Sequence, residues 1–182
     1  MVVAATDFES ALVDGAAVRT IVCGIGPVEA ALATSRAITD DRPTAILQIG
    51  IAGALTLPHA SIVLGSEAVY CDVLDPLARI ARVERVQADV GLLAAARRAL
   101  PDANVLPIGT SGRVGGGIDC EVEAMEGFGV VRAAALAGVP ALELRAVSNP
   151  VTEADRDRWR IDDALDALRA ALPPVLEELS RA

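Results

Sequence analysis

Short apolar runs of strand length recur along this chain, at residues 2–5, 20–23, 45–49, 62–69, 105–108 and 141–147. Several are rich in β-branched residues and do not alternate with polar ones, the pattern of strands covered on both faces. Helical spacing fills the gaps. Residues 28–38 are Ala-rich behind Pro27, which suits a first helical position. Residues 89–100 carry Val90, Leu93, Ala94 and Arg97 and stop before Pro101. Residues 121–137 end at Gly138 with Pro140 beyond, a strong helix stop. Residues 161–172 place Ile161, Leu165, Leu168 and Leu172 on one face, and Pro173-Pro174 is expected to divide them from a last short helix or turn. This alternation predicts an α/β fold, a three-layer α/β/α sandwich around a central mixed sheet. The link from residue 49 to residue 62 is too short for a helical crossover, so those two runs are expected to pair antiparallel.

A chain of 182 residues is expected to form one domain, residues 1–182, with a substantial core. The 53% apolar content excludes disorder, and with only 2% aromatics the core must be built from small aliphatic side chains. A net charge of −9 argues against nucleic acid as partner. Cys23, Cys71 and Cys120 are odd in number and widely spaced, which fits a reducing compartment. The start enters directly into VVAA and reaches Asp7 and Glu9 at once, so no leader is expected and a cytoplasmic location is. Residues 43–66 carry no charge, but Gly50, Gly53, Pro58 and His59 interrupt them, as in two buried strands rather than a membrane span. His59 is the sole histidine and the cysteine spacings match no zinc pattern, so no metal site is expected.

Gly24-Ile25-Gly26 follows a strand and opens a helix, but Glu29 stands where a dinucleotide fingerprint needs its third glycine. The next strand ends in Gln48-Ile49-Gly50, without the acidic ribose-binding residue, so no dinucleotide cofactor is expected. Gly50, Ala52 and Gly53 leave another strand end, where their backbone N–H groups either line a pocket or serve a plain chain reversal. Gly115-Gly116-Gly117, flanked by Arg113 and Asp119, reads as a connector.

Three polar residues stand out. Glu9 follows Thr6 at capping-box spacing, and it also lies just past a strand, where α/β folds collect functional groups. Glu126, between Met125 and Gly127 in an apolar segment, needs partners if buried: either sugar hydroxyls or an ion pair with Arg132 or Arg145. Nearby Glu123 reads as a solvent-facing helical residue. Ser148-Asn149 ends a strand before Pro150, either a turn or a carboxamide presented to the edge of an oxopurine. Trp159 is the one tryptophan, available to anchor the last helix, stack on a ligand or enter a subunit contact.

Four segments together resemble the nucleoside phosphorylase and nucleosidase superfamily, and within it the futalosine hydrolase branch: VVAATDFE, VCGIGPVEAALAT, QIGIAGAL and EAMEGFGVVRAAALAGVPALELRAVSN. The tail DRDRWRIDDAL is also similar to that branch. The resemblance implies that Glu9 is the catalytic glutamate, Glu126 the ribose-hydroxyl glutamate and Asn149 the base-recognising residue. It also implies that Gly50, Ala52, Gly53, Met125, Phe128 and Ser148 surround the substrate. Adenine-releasing relatives carry Asp at the position of Asn149; Asn suits N7 and O6 of a 6-oxopurine such as hypoxanthine.

The activity so implied is hydrolysis of the N-glycosidic bond of futalosine in menaquinone biosynthesis, with no metal or organic cofactor. Glu9 would activate water, and Asp155 or solvent would protonate the base. A purine nucleoside would be the small-molecule partner and a homo-oligomer the assembly, with GFGVV available for the subunit contact. Phosphorolysis with Arg113 near phosphate is the neighbouring alternative; a non-catalytic nucleoside-binding relative is the distant one. The passage LPIGTSGRVGGGIDCEVEAMEG and the region 73–83 are both shorter than in such relatives.

Overall fold

The computed structural model describes residues 1–73, 77, 79, 82–114 and 120–181. The glycine connector 115–117 and Asp119 lie outside the described residues, as does much of the short region 73–83. In chain order the elements are β1 (Val2–Ala4), α1 (Asp7–Ser10), β2 (Thr20–Val22), α2 (Pro27–Asp41), β3 (Ile46–Ala54) and β4 (Ile62–Tyr70). There follow β5 (Arg85–Gln87), α3 (Val90–Ala99), β6 (Asn104–Thr110), β7 (Val122–Ala124), α4 (Gly127–Ala137), β8 (Ala141–Pro150) and α5 (Ile161–Leu179).

The strands form one mixed sheet in the order β2-β1-β3-β7-β6-β4-β5, with β8 pairing both β3 and β4. Parallel β1, β3 and β8 run side by side, so their carboxyl ends meet at one edge. Helices cover both faces. Leu47, Ile49, Leu142 and Leu144 pack with Leu92, Leu168 and Leu172 of α3 and α5. Val3, Ile46 and Ala141 pack with Ala30 of α2 and Val130, Val131 and Ala134 of α4. Each wholly buried Leu or Ile contributes about 1.5–3 kcal/mol, which lets a core poor in aromatics hold together. Among the described residues no helix is long and apolar enough to cross a membrane.

Four sequence expectations are corrected. The helix expected over 121–137 is two elements: Val122 and Ala124 are strand residues paired with β6 and β3, and the helix begins only after Glu126. Glu123 is accordingly buried rather than solvent-facing. The runs at 45–49 and 62–69 do not pair with each other, because β8 lies between them, parallel to β3 and antiparallel to β4. Finally, α5 continues through Pro173 and Pro174. Burial of Leu168, Leu172 and Val175 on the sheet outweighs the amide donors those prolines remove.

Candidate active site

Glu9 serves both readings at once. Thr6 and Glu9 form a reciprocal capping box at the start of α1. Glu9 Oε2 accepts from Ala5 N and Thr6 N at 3.1 Å each and from Thr6 Oγ1 at 3.0 Å. Its other oxygen, Oε1, accepts from Ile51 N at 3.0 Å, across the sheet edge in β3. The capping interaction thus fixes the carboxylate just past the carboxyl end of β1, against the middle of β3.

Glu126 stands at the N-cap of α4 and is almost wholly buried. Its Oε1 accepts from Gly26 N at 3.1 Å, the N-cap of α2, so the positive end of that helix favours its charge. Gly24 and Gly26 have φ of +81° and +97°, which explains the glycine turn: it presents a backbone donor to Glu126 in a conformation L side chains rarely adopt. Phe128 N donates to Thr110 Oγ1 at 2.8 Å, capping the same helix.

Between these carboxylates lies Arg145, 1% exposed. Its Nη2 reaches Glu126 Oε2 at 3.3 Å, its Nε donates to Glu143 Oε1 at 2.8 Å and its Nη1 to the Ile51 carbonyl at 3.2 Å. Burial opposes the guanidinium charge, but Glu143, Glu126 and Glu9 outweigh it and hold Arg145 above its usual range. Burial pushes the Glu143 carboxyl up, against the pull of Arg145. Gly50 sits where a Cβ would come 2.7 Å from Glu9 Oε1 and closer still to Arg145 Nη1; the residue must be glycine for the cluster to close.

Glu9, Glu126 and Met125 line a cleft of about 630 Å³, together with Ile51, Trp159 and Arg156. A smaller recess of about 70 Å³ adjoins it, sharing Ile51, Val114, Met125 and Trp159. Ala52, Gly53, Ser148 and Asn149 line that recess, with Glu123. Asn149 Oδ1 accepts from Ser148 Oγ at 2.8 Å and its Nδ2 donates to the Pro150 carbonyl at 3.0 Å, which sets the orientation of the amide. Trp159 is anchored by its indole N–H on the Glu153 carbonyl at 3.1 Å and stands under the Arg156 guanidinium.

The structure moves several expected placements. Phe128 lines neither cavity: its ring stacks on Tyr70 at 5.0 Å between centroids, within the core. The GFGVV segment is not a free surface for a subunit contact, because Gly129, Val130 and Val131 are buried, with Gly129 packed on the Pro27 carbonyl of α2. Asp155 caps the turn Arg156–Arg158 and lines neither cavity; Arg113 likewise lines neither. Gly50 supports the site from behind rather than lining it. The residues that sequence reasoning passed over are Glu143 and Glu123. The signal for Glu143 was present: Glu143 and Arg145, two apart in an apolar strand, must share a face and be buried together.

Fold and cleft define an α/β domain with a cleft lined by two buried carboxylates, Glu9 and Glu126, beside its parallel strands. The chain belongs to the phosphorylase superfamily, whose family model matches residues 3–117. It is similar to futalosine hydrolase of Streptomyces coelicolor, 67% identical over 58 residues, which are 30% of this chain and 25% of that one. It is also similar to futalosine hydrolase of Thermus thermophilus, 44% identical over 57 residues, 31% of this chain and 25% of that one. The chain thus aligns with about a quarter of the length of these curated relatives. Among solved structures, futalosine hydrolase of Helicobacter pylori superposes with TM-score 0.86 at 17% identity, over 97% of this chain and 96% of that one. The methylthioadenosine/S-adenosylhomocysteine nucleosidase of Colwellia psychrerythraea, in complex with adenine, gives TM-score 0.86 at 19% identity, over 98% and 94%. At such identities these two likenesses establish the fold.

Proposed function

We propose that this chain hydrolyses the N-glycosidic bond of a purine nucleoside, with futalosine as substrate and hypoxanthine as the released base. The observation that carries the reading is the placement of two buried carboxylates, Glu9 and Glu126, on one cleft, with the Asn149 carboxamide in the recess beside it. Glu9 positions and deprotonates the attacking water. Glu126, held by Gly26 N and Arg145, accepts the ribose hydroxyls and favours the positive charge that develops on the sugar. Asn149 binds the departing oxopurine as charge builds on its ring. Met125, shared by the two cavities, marks the junction of sugar and base.

Incubation with futalosine, inosine and methylthioadenosine, with and without phosphate, followed by chromatography, tests the reading. Hypoxanthine release from futalosine without phosphate is expected. Strict phosphate dependence would assign phosphorolysis, and nucleoside binding without base release would assign a non-catalytic role. The exposed Phe8 and Ile25 at the cleft mouth suit a subunit contact, and light scattering is expected to show a homo-oligomer. A cytoplasmic location accords with cysteines that form no disulfide among the described residues.

A further inference from the structure

We propose that Glu123 is a specificity-determining residue for the base: together with Asn149 it flanks the bare Cα of Gly53 and selects a purine that carries a proton on ring N1, as a 6-oxopurine does. The inference rests on the nucleosidase reading above and deepens it.

The arrangement follows from strand register. Gly53 of β3 pairs with Glu123 of β7 on one side and with Asn149 of β8 on the other. Residues directly opposite one another on neighbouring strands project from the same face. With strands about 4.8 Å apart, the outer two Cα atoms stand about 10 Å apart, with a glycine between them. A Cβ at Gly53 would come 3.1 Å from Asn149 Nδ2 and 3.3 Å from Val151 Cγ2, so a side chain there would crowd the slot. A β-bulge between Ala52 and Gly53 brings Asn149 opposite the glycine in place of Ser148. Glu123 is 6% exposed, and both it and Asn149 line the small recess beside Met125.

The two walls offer complementary chemistry. Asn149 Nδ2 spends one hydrogen on the Pro150 carbonyl and keeps the other for a ligand, while its Oδ1 is engaged by Ser148. The amide nitrogen is the Asn149 atom that borders the slot over Gly53, so the side chain faces the recess as a donor, suited to purine N7 or O6. A carboxylate accepts hydrogen bonds only. Across the same heterocycle Glu123 meets N1, which bears a hydrogen in a 6-oxopurine and a lone pair in a 6-aminopurine. The first closes a hydrogen bond; the second sets an acceptor against an acceptor in a buried site. Asn149 alone does not discriminate so sharply, since N7 is an acceptor in both bases.

Calorimetric titration of the full chain with hypoxanthine, 1-methylhypoxanthine and adenine tests this. The wild type is expected to bind hypoxanthine about tenfold or more above the other two, as for a site built to bond one N–H group. Glu123→Ala is expected to shrink that ratio by about tenfold, and Glu123→Gln, which keeps the shape and one acceptor, by less. If Glu123→Ala does not fold, as judged by circular dichroism, Glu123→Gln carries the measurement and a ratio smaller than the wild type's is expected. An unchanged ratio in a folded variant, or a wild type indifferent to N1 methylation, overturns the assignment. Selective base binding without nucleoside turnover sinks the hydrolase reading and leaves Glu123 standing. Turnover with selectivity untouched by the substitutions sinks Glu123 alone.

Discussion

Arg145 holds Glu126 at 3.3 Å from its Nη2, with both side chains almost completely withdrawn from water. A pair so buried is a constraint more than a source of stability, because desolvation of both ions offsets most of their attraction. Its value here is positional. The same guanidinium binds Glu143 and the Ile51 carbonyl, and Ile51 N holds Glu9. One cation thus locks both cleft carboxylates into a single geometry.

Replacement of Arg145 by Met is expected to destabilise the fold by about 3–5 kcal/mol, since buried carboxylates are left without their counter-ion. Chemical denaturation reads this directly. Combining it with Glu143→Leu should cost less than the sum of the two single changes, because the residues act as one unit. Strict additivity would mean that they are independent.

Glu9→Gln is expected to lower kcat for base release by roughly 10²–10⁴-fold, the range typical of a lost general base. Stability should fall by only about 1–2 kcal/mol, because one amide hydrogen now faces a backbone donor where a carboxylate oxygen accepted. A variant with near-normal kcat would remove Glu9 from water activation and leave it as a helix cap.

Gly129→Ala should be more damaging than Gly138→Ala. A Cβ at Gly129 would run into the Pro27 carbonyl and within 3.1 Å of Ala31 N, so α2 has to shift, at a cost of about 1–3 kcal/mol or more. Gly138 caps α4 at φ +69° with open space around it; only the left-handed backbone penalty of about 1–2 kcal/mol applies there. Thermal melts of the two variants settle the order.

Burial, reinforced by the charge of Glu126, pushes the Cys23 thiol from 9.0 up to about 12. The folded state therefore holds the neutral thiol more firmly than the unfolded chain does. That contribution is fully present below pH 9 and is lost as pH climbs toward 12. Alkylation by iodoacetamide at pH 9 should be slow at Cys23 in the native protein and fast after unfolding. Glu126→Gln, which removes one cause of the shift, should speed the native reaction.

The parallel βαβ rhythm was legible in the chain because buried strands and amphipathic helices leave different periods in a sequence. Pro27 at the start of α2, Pro101 just beyond α3 and Gly138 after α4 marked real ends for local backbone reasons. The β7 strand was missed: three residues paired to β6 and β3 carry no period of their own, and the apolar run that follows them reads as one helix. The Pro173-Pro174 break failed in the opposite direction, since a well-buried helix face tolerated what local propensity forbids.

By itself the sequence determined the residue types available at the strand ends, Glu9, Glu126 and Asn149, and the glycines that let backbone approach them. Which of these share a cleft, and which partners hold them there, was decided only by tertiary structure. Register between distant strands put Arg145 behind Gly50 and set Glu123 across Gly53 from Asn149. Such pairings join residues 70 to 96 positions apart through sheet hydrogen bonds and shared burial, and no local pattern in the chain encodes them.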